Sequence, residues 1–150
     1  MNDPIFGLSR QNLIDLLEKH VMNSGALAIA ATATLALTAN DVYYFIDGKM
    51  YVLAAADLTA LSGTVTNAKF NVFVFAVDSD GNVSCNMGTE GATIDAVVFP
   101  VTPADEAVIG FIVINPTGTG NFVGGTTDLD DGTVVPGAVY INAVPPMRFA

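Results

Sequence analysis

Tryptophan is absent, and cysteine and histidine each occur once, as Cys85 and His20. A single cysteine excludes an intrachain disulfide. With one histidine and one cysteine, the chain also lacks the ligand set of an ordinary zinc site. Basic residues are scarce: Arg10, Lys19, Lys49, Lys69 and Arg148 stand against fifteen acids, for a formal charge of -10. From Phe70 to Met147 there are nine acids and no Lys or Arg. That stretch can form no internal salt bridge, so its folding must rest on apolar packing and backbone pairing. It would repel phosphate backbones and anionic bilayers, which argues against nucleic acid and membrane as partners. The least polar run, residues 25–39, carries three threonines and is too short to span a bilayer. The opening residues lack a basic segment and include Asp3 and Pro4, so no signal peptide is expected. The chain is expected to be made in, and to remain in, a cytoplasm or a particle assembled there.

What is present is apolar. Hydrophobic residues make up 51% of the 150 and charged residues 13%, where about 25% is usual for a soluble domain. Charged surface is therefore short, and part of the surface is expected to be covered by other chains. The acidic balance fits plain solubility or pairing with a basic partner.

The best-specified stretch is residues 69–87. Residues 70–77 are apolar at both parities, with Phe73, Phe75 and Val77 on one face and Phe70, Val72, Val74 and Ala76 on the other. This is the pattern of a strand covered on both sides. Val83, Cys85 and Met87 alternate with Ser84 and Asn86, which predicts a half-buried return strand. Between them, Asp78-Ser79-Asp80-Gly81-Asn82 supplies residues suited to a hairpin loop. Cys85 reads as core packing rather than as a nucleophile.

Elsewhere, Asp47-Gly48 predicts a hairpin joining residues 42–46 to 49–53. Residues 26–37 alternate so regularly, with Leu27, Ile29, Ala31, Ala33, Leu35 and Leu37 on one parity, that one strand is expected. Residues 94–99 read as another strand, stopped by Pro100 and Pro103, with a tight turn at 103–106. Residues 107–114 are apolar on both parities and read as a second central strand, Gly110 marking a bulge or close backbone contact. Residues 134–144 give a last strand interrupted by Pro136-Gly137.

Ahead of these lies an expected helix over residues 9–25, capped by Ser9, with Leu13, Leu16, Leu17 and Val21 on one apolar stripe. Such a helix either caps the sheet or reaches a neighbouring subunit. His20 reads as a helix-surface residue. The expected organisation is an N-terminal arm (1–8), the helix (9–25), a β domain (26–144) and a C-terminal tail (145–150). The fold class is mainly β, an antiparallel sandwich or barrel of jelly-roll type with extended terminal arms.

Few residues suggest chemistry. Asp78, Asp80 and Asn82 are calcium candidates, together with acids from residues 128–131. Counted as an EF-hand from Asp78, however, the glycine falls at position 4 and Thr89 stands at position 12 in place of Glu. A Ser-His-Asp arrangement would need His20, and the glycines at 118, 120, 124 and 125 match no phosphate loop and come with no Lys. The chain is expected not to be an enzyme and to carry no cofactor. Tyr43, Tyr44, Phe45 and Tyr51 form an aromatic cluster, which fits either cross-strand packing or a sugar platform.

Three segments taken together, Y-Y-F-I-D-G-K-M-Y (43–51), T-P-A-D-E-A-V-I-G (102–110) and F-V-G-G-T-T-D-L-D (122–130), resemble a group of small phage virion proteins of the head-decoration and head-fibre type. The resemblance spans roughly residues 41–144. It implies a β-rich subunit displayed on a capsid, often as a homotrimer, with the major capsid protein as partner. No functional residue is carried over by it. On that reading the interface residues are Leu13, Leu16, Leu17 and Val21 of the stripe and Met147 and Phe149 of the tail, and the arms reach over adjacent subunits. The alternative is a receptor- or glycan-binding module of a head fibre or tail, built on the tyrosine cluster.

Overall fold

The computed structural model describes residues 19–143. These form eleven strands and one short 3-10 turn: β1 (Lys19–Val21), β2 (Leu27–Ile29), β3 (Ala36–Thr38), β4 (Val42–Ile46), β5 (Lys49–Leu53), β6 (Thr64–Val65), β7 (Asn71–Val77), β8 (Val83–Met87), the turn Ile94–Ala96, β9 (Ala107–Ile114), β10 (Phe122–Val123) and β11 (Val139–Asn142). The architecture is mainly β with antiparallel sheets and no closed barrel among the described residues. A four-stranded sheet runs in the order β11-β9-β7-β8, and a three-stranded sheet in the order β1-β4-β5. The pairs β2-β3 and β10-β6 complete the set.

Strand β7 is the centre of the larger sheet, and all seven of its residues are buried. Phe73, Phe75 and Val77 join the main core, together with Ala107, Ile109, Ile112 and Ile114 of β9. Val21, Val42, Tyr44 and Ile46 of the three-stranded sheet enter the same core, as do Leu61, Val65, Phe122 and Leu129 from the smaller strands and loops. Phe73 meets Phe122 edge-on, with ring centroids 5.8 Å apart. The inner faces of the sheets thus bury one continuous apolar mass, which is what a stretch without salt bridges requires.

Two hairpins form as their turn residues dictate. Asp47 and Gly48 both adopt positive φ, 50° and 76°, the arrangement whose twist matches a two-residue hairpin. In the loop after β7, Asp78 Oδ1 accepts the Asp80 and Asn82 amides at 2.8 and 2.9 Å, and Asp78 Oδ2 accepts the Asn82 side-chain amide at 2.9 Å. Gly110 sits where β9 shifts register, between the Phe75 and Ala76 positions of β7. A Cβ there would meet the Ile141 carbonyl and lie 2.6 Å from Leu27 Cδ1, so the position combines a bulge with close backbone approach.

Three sequence expectations are corrected. The helix over 9–25 does not extend to its predicted end: residues 9–18 lie outside the described residues, but Lys19–Val21 form β1, paired with β4. The β structure therefore begins by Lys19 rather than at residue 26. Val21 fits a helical stripe at i+8, yet as a strand residue opposite Tyr44 it is only 2% exposed, and tertiary burial overrides the local period. Residues 26–37 form no single strand: β2 and β3 are a hairpin pair, turned by a backbone bond from Leu35 to Thr32 and closed by one from Ala30 to Leu35. Residues 94–99 supply only the short turn and a single bridge between Thr89 and Val98, just beyond the end of the edge strand β8.

Candidate interaction surfaces

Directly opposed residues of an antiparallel pair share a face, so register assigns each strand side chain to the core or to the outside. In the three-stranded sheet, the Val21–Tyr44 and Tyr44–Tyr51 pairs face inward. The outward pairs are His20–Phe45, Phe45–Met50 and Tyr43–Val52, and Met22 joins them through its amide bond to the Tyr43 carbonyl. The outer face is therefore Met22, Tyr43, Phe45, Met50 and Val52, with the His20 ring stacked on Phe45 at 5.8 Å. No charged side chain interrupts it. Met50 is 62% and Val52 55% exposed. Contiguous apolar sheet faces of this kind are a common feature of contact sites in other proteins.

A second apolar surface lies on the outside of the larger sheet. Register places Val139 beside Val113, Ile141 beside Phe111 and Val74 beside Phe111. The segment between β8 and β9 folds over the β7 part of this face. Phe99 packs edge-on to Phe111 at 5.0 Å, and Ser84 Oγ donates to Glu106 Oε2 at 2.6 Å beside Ala76. The covering is incomplete: Phe99, Val139 and Ile141 remain exposed, and Val101 is 93% exposed. These residues fall within the stretch that has acids but no bases.

Between β1 and the start of β9 lies an open cleft of about 270 Å³, lined by Lys19, His20, Val21, Pro103, Glu106 and Val108 among others. It is smaller than most ligand pockets. Among the described residues its one acid, Glu106, accepts the Ser84 hydroxyl, and its rim includes Lys19 and Ala143, where the chain continues to residues 1–18 and 144–150.

The sequence-predicted site residues are dispersed. The calcium candidates close their own loop: three donors within residues 80–82 occupy the Asp78 carboxylate. Those bonds, led by that from the Asn82 side chain, hold the Asp78 carboxyl below the usual aspartate range. Asp131 is likewise committed, accepting the Thr133 amide and hydroxyl at 2.9 and 2.6 Å, and these bonds lower it. Among the described residues no group of three or more His, Cys, Asp or Glu is placed to hold a metal ion. The tyrosine cluster is split. Tyr43 faces out, whereas Tyr44 and Tyr51 stack on each other inside, 5.6 Å between centroids. The Tyr44 hydroxyl donates to the Asp78 carbonyl at 2.9 Å, and burial with the nearby Asp78 charge raises its pKa. Three tyrosines therefore make no single sugar platform. Cys85 packs beside Phe75, and burial pushes its thiol up to about 12. Leu13, Leu16, Leu17, Met147 and Phe149 lie outside the described residues, and Val21 is packed inside its own chain.

Sequence reasoning missed both outer faces. In β4 and β5 the signal was present, since Tyr43 and Phe45 alternate with Val42, Tyr44 and Ile46, and both parities are apolar in a hairpin with one open edge. Comparison with protein-family models, curated proteins and solved structures finds no match to this chain. None of the described helical segments is long and apolar enough to cross a membrane.

Proposed function

We propose that this protein is a structural subunit of a phage virion, a decoration or cement protein that binds the outer capsid shell as a homotrimer and stabilises it. The packing of the four-stranded sheet against the smaller sheets is read as a jelly-roll-like β-sandwich, and the terminal arms, residues 1–8 and 144–150, as straps over adjacent subunits.

The observation that carries this reading is the partly roofed outer face of the larger sheet. Phe99, Val101, Val139 and Ile141 present apolar surface in a stretch with no cation. Such a surface suits lasting contact with another protein better than attraction to a polyanion. The Asp78 and Asp131 carboxylates are satisfied within their own loops.

Copy number in purified particles tests the reading. Quantitative mass spectrometry should find the chain at hundreds of copies per virion. A count of a few to tens would move it to the tail, and its absence from particles would sink the proposal. Deleting residues 1–8 and 144–150 together should lower capsid occupancy, and full occupancy without both would remove the strap role.

A further inference from the structure

The hairpin of β4 and β5 leaves one row of backbone groups unpaired. Its two-residue turn, Asp47-Gly48, makes Ile46 and Lys49 the first hydrogen-bonded pair. Antiparallel pairing then alternates, so Tyr44–Tyr51 is hydrogen-bonded, whereas Phe45–Met50 and Tyr43–Val52 are not. The bonds of Tyr43 agree with this phase. Its carbonyl accepts the Met22 amide at 2.7 Å and its amide donates to Asn23 Oδ1 at 2.8 Å, both on the β1 side. Met50 and Val52 therefore point their N–H and C=O groups away from β4, and β5 is the last strand of its sheet. Those groups have no hydrogen-bond partner among the described residues.

The larger sheet treats its edges differently. At β8 the Thr59 hydroxyl donates to the Val83 carbonyl at 2.6 Å, and beside β11 the Leu27 amide donates to Asn142 Oδ1 at 2.9 Å. β5 carries none of the devices that blunt an edge along its length: it has no proline, its register with β4 runs without a bulge, and its one charge, Lys49, stands at the turn end.

An open edge of this kind is self-complementary. In the antiparallel register centred on Tyr51, Met50 of one copy stands opposite Val52 of the other, and the two-fold axis repeats the pair. Each pair exchanges two bonds, so the outward groups of Met50 and Val52 are all satisfied in both copies. Centring the contact on Met50 or on Val52 satisfies only half of them, because the other residue then faces Gly48 of the turn or Ala54 beyond the strand end. The charges favour the same arrangement. It carries Lys49 toward the Leu53 end of the other copy, where Asp41 accepts the Ala55 amide at 2.8 Å, while Asp47 lies beyond the paired stretch.

We infer that β5 pairs antiparallel with β5 of a second copy, Met50 opposite the partner's Val52, joining two three-stranded sheets into one of order β1-β4-β5-β5-β4-β1. The contact does not rest on the virion reading; with the homotrimer proposed above, it joins copies of adjacent trimers.

Hydrogen exchange of the full-length chain over a dilution series from about 1 mM to about 1 μM, with sedimentation at each step, tests this. The Met50 and Val52 amides should exchange freely in the unassociated chain and slow by about tenfold or more in step with the associated fraction, while the Tyr51 amide, bonded to β4, stays protected throughout. Absence of association, or free exchange at Met50 and Val52 in the associated protein, overturns the inference. So does protection of these amides in the unassociated chain, which assigns the edge to residues of the same chain. For the register, an equal mixture of Met50→Cys and Val52→Cys chains should form the mixed disulfide faster than a mixture of Met50→Cys with Tyr43→Cys chains. All three positions are exposed, and the buried Cys85 thiol is too unreactive to compete. A mixed disulfide that forms no faster than this control overturns the pairing of Met50 with Val52.

Discussion

Individual residues in this protein act by closing off local alternatives. Gly110 is the sharpest case, because any side chain there meets the Ile141 carbonyl and Leu27. Gly110→Ala should cost about 1–3 kcal/mol in urea unfolding, the usual range for forcing a group into a packed site. Tyr44 spans core and loop, and Tyr44→Phe removes its 2.9 Å bond to the Asp78 carbonyl. The expected loss is about 0.5–1.5 kcal/mol with no change of fold. Asp78 carries a pH dependence. Its carboxyl is held below the ordinary aspartate range chiefly by the Asn82 side chain. Its stabilisation is therefore complete above the unfolded value, about 4, and is lost as pH falls through the lower folded value. Asp78→Asn should be less stable than the parent at neutral pH, with the gap closing on acidification; urea titrations between about pH 6 and pH 2 measure it. Cys85, its thiol pushed up to about 12 by burial, should react with a disulfide reagent at pH 8 far more slowly in the native protein than in denaturant.

At the scale of elements, the sequence was legible wherever period and turn chemistry agreed. β7 and β8 have their two patterns on either side of an Asp- and Gly-bearing loop, and β4 and β5 flank Asp47-Gly48. Both hairpins form as read. Reading failed where one signal spoke alone. The alternation of residues 26–37 runs straight through a turn that contains no Gly, Pro, Asn or Asp. That turn is set by backbone bonds and by the Leu129 amide reaching the Ala33 carbonyl from far along the chain. Lys19–Val21 satisfied a helical stripe and a strand equally, and pairing with β4 decided the outcome. Residues 94–99 have strand-like composition, yet pair only through the bridge between Val98 and Thr89. The interaction surfaces were hidden for a related reason, since which apolar parity faces inward depends on register that no local pattern fixes. The weight of the fold rests on β7, so Phe75→Ala should destabilise by about 3–5 kcal/mol, more than any of the residue changes above.

For the whole molecule, net charge and apolar surface oppose each other. A formal charge of -10 opposes contact between copies, while the exposed apolar side chains of Phe99, Val101, Val139 and Ile141 would favour it. Raising salt from 0.1 to 1 M shortens the screening length from about 10 to about 3 Å. Self-association measured by sedimentation should therefore rise with salt, and a fall would assign the contacts to charge instead. The bulge in β9 also has a consequence for how many structures this sequence can form. A strand with one unbroken alternation can slide by two residues against its neighbour and still point the same side chains inward. β9 has no such freedom: Ala107 and Ile109 enter the core on one parity, Ile112 and Ile114 on the other. The change of phase between them must stand opposite the step from Phe75 to Ala76. Gly110 thus works as a key with a single slot, and mispaired versions of the central sheet, in this chain or between chains, are excluded by the same residue that shapes the native one.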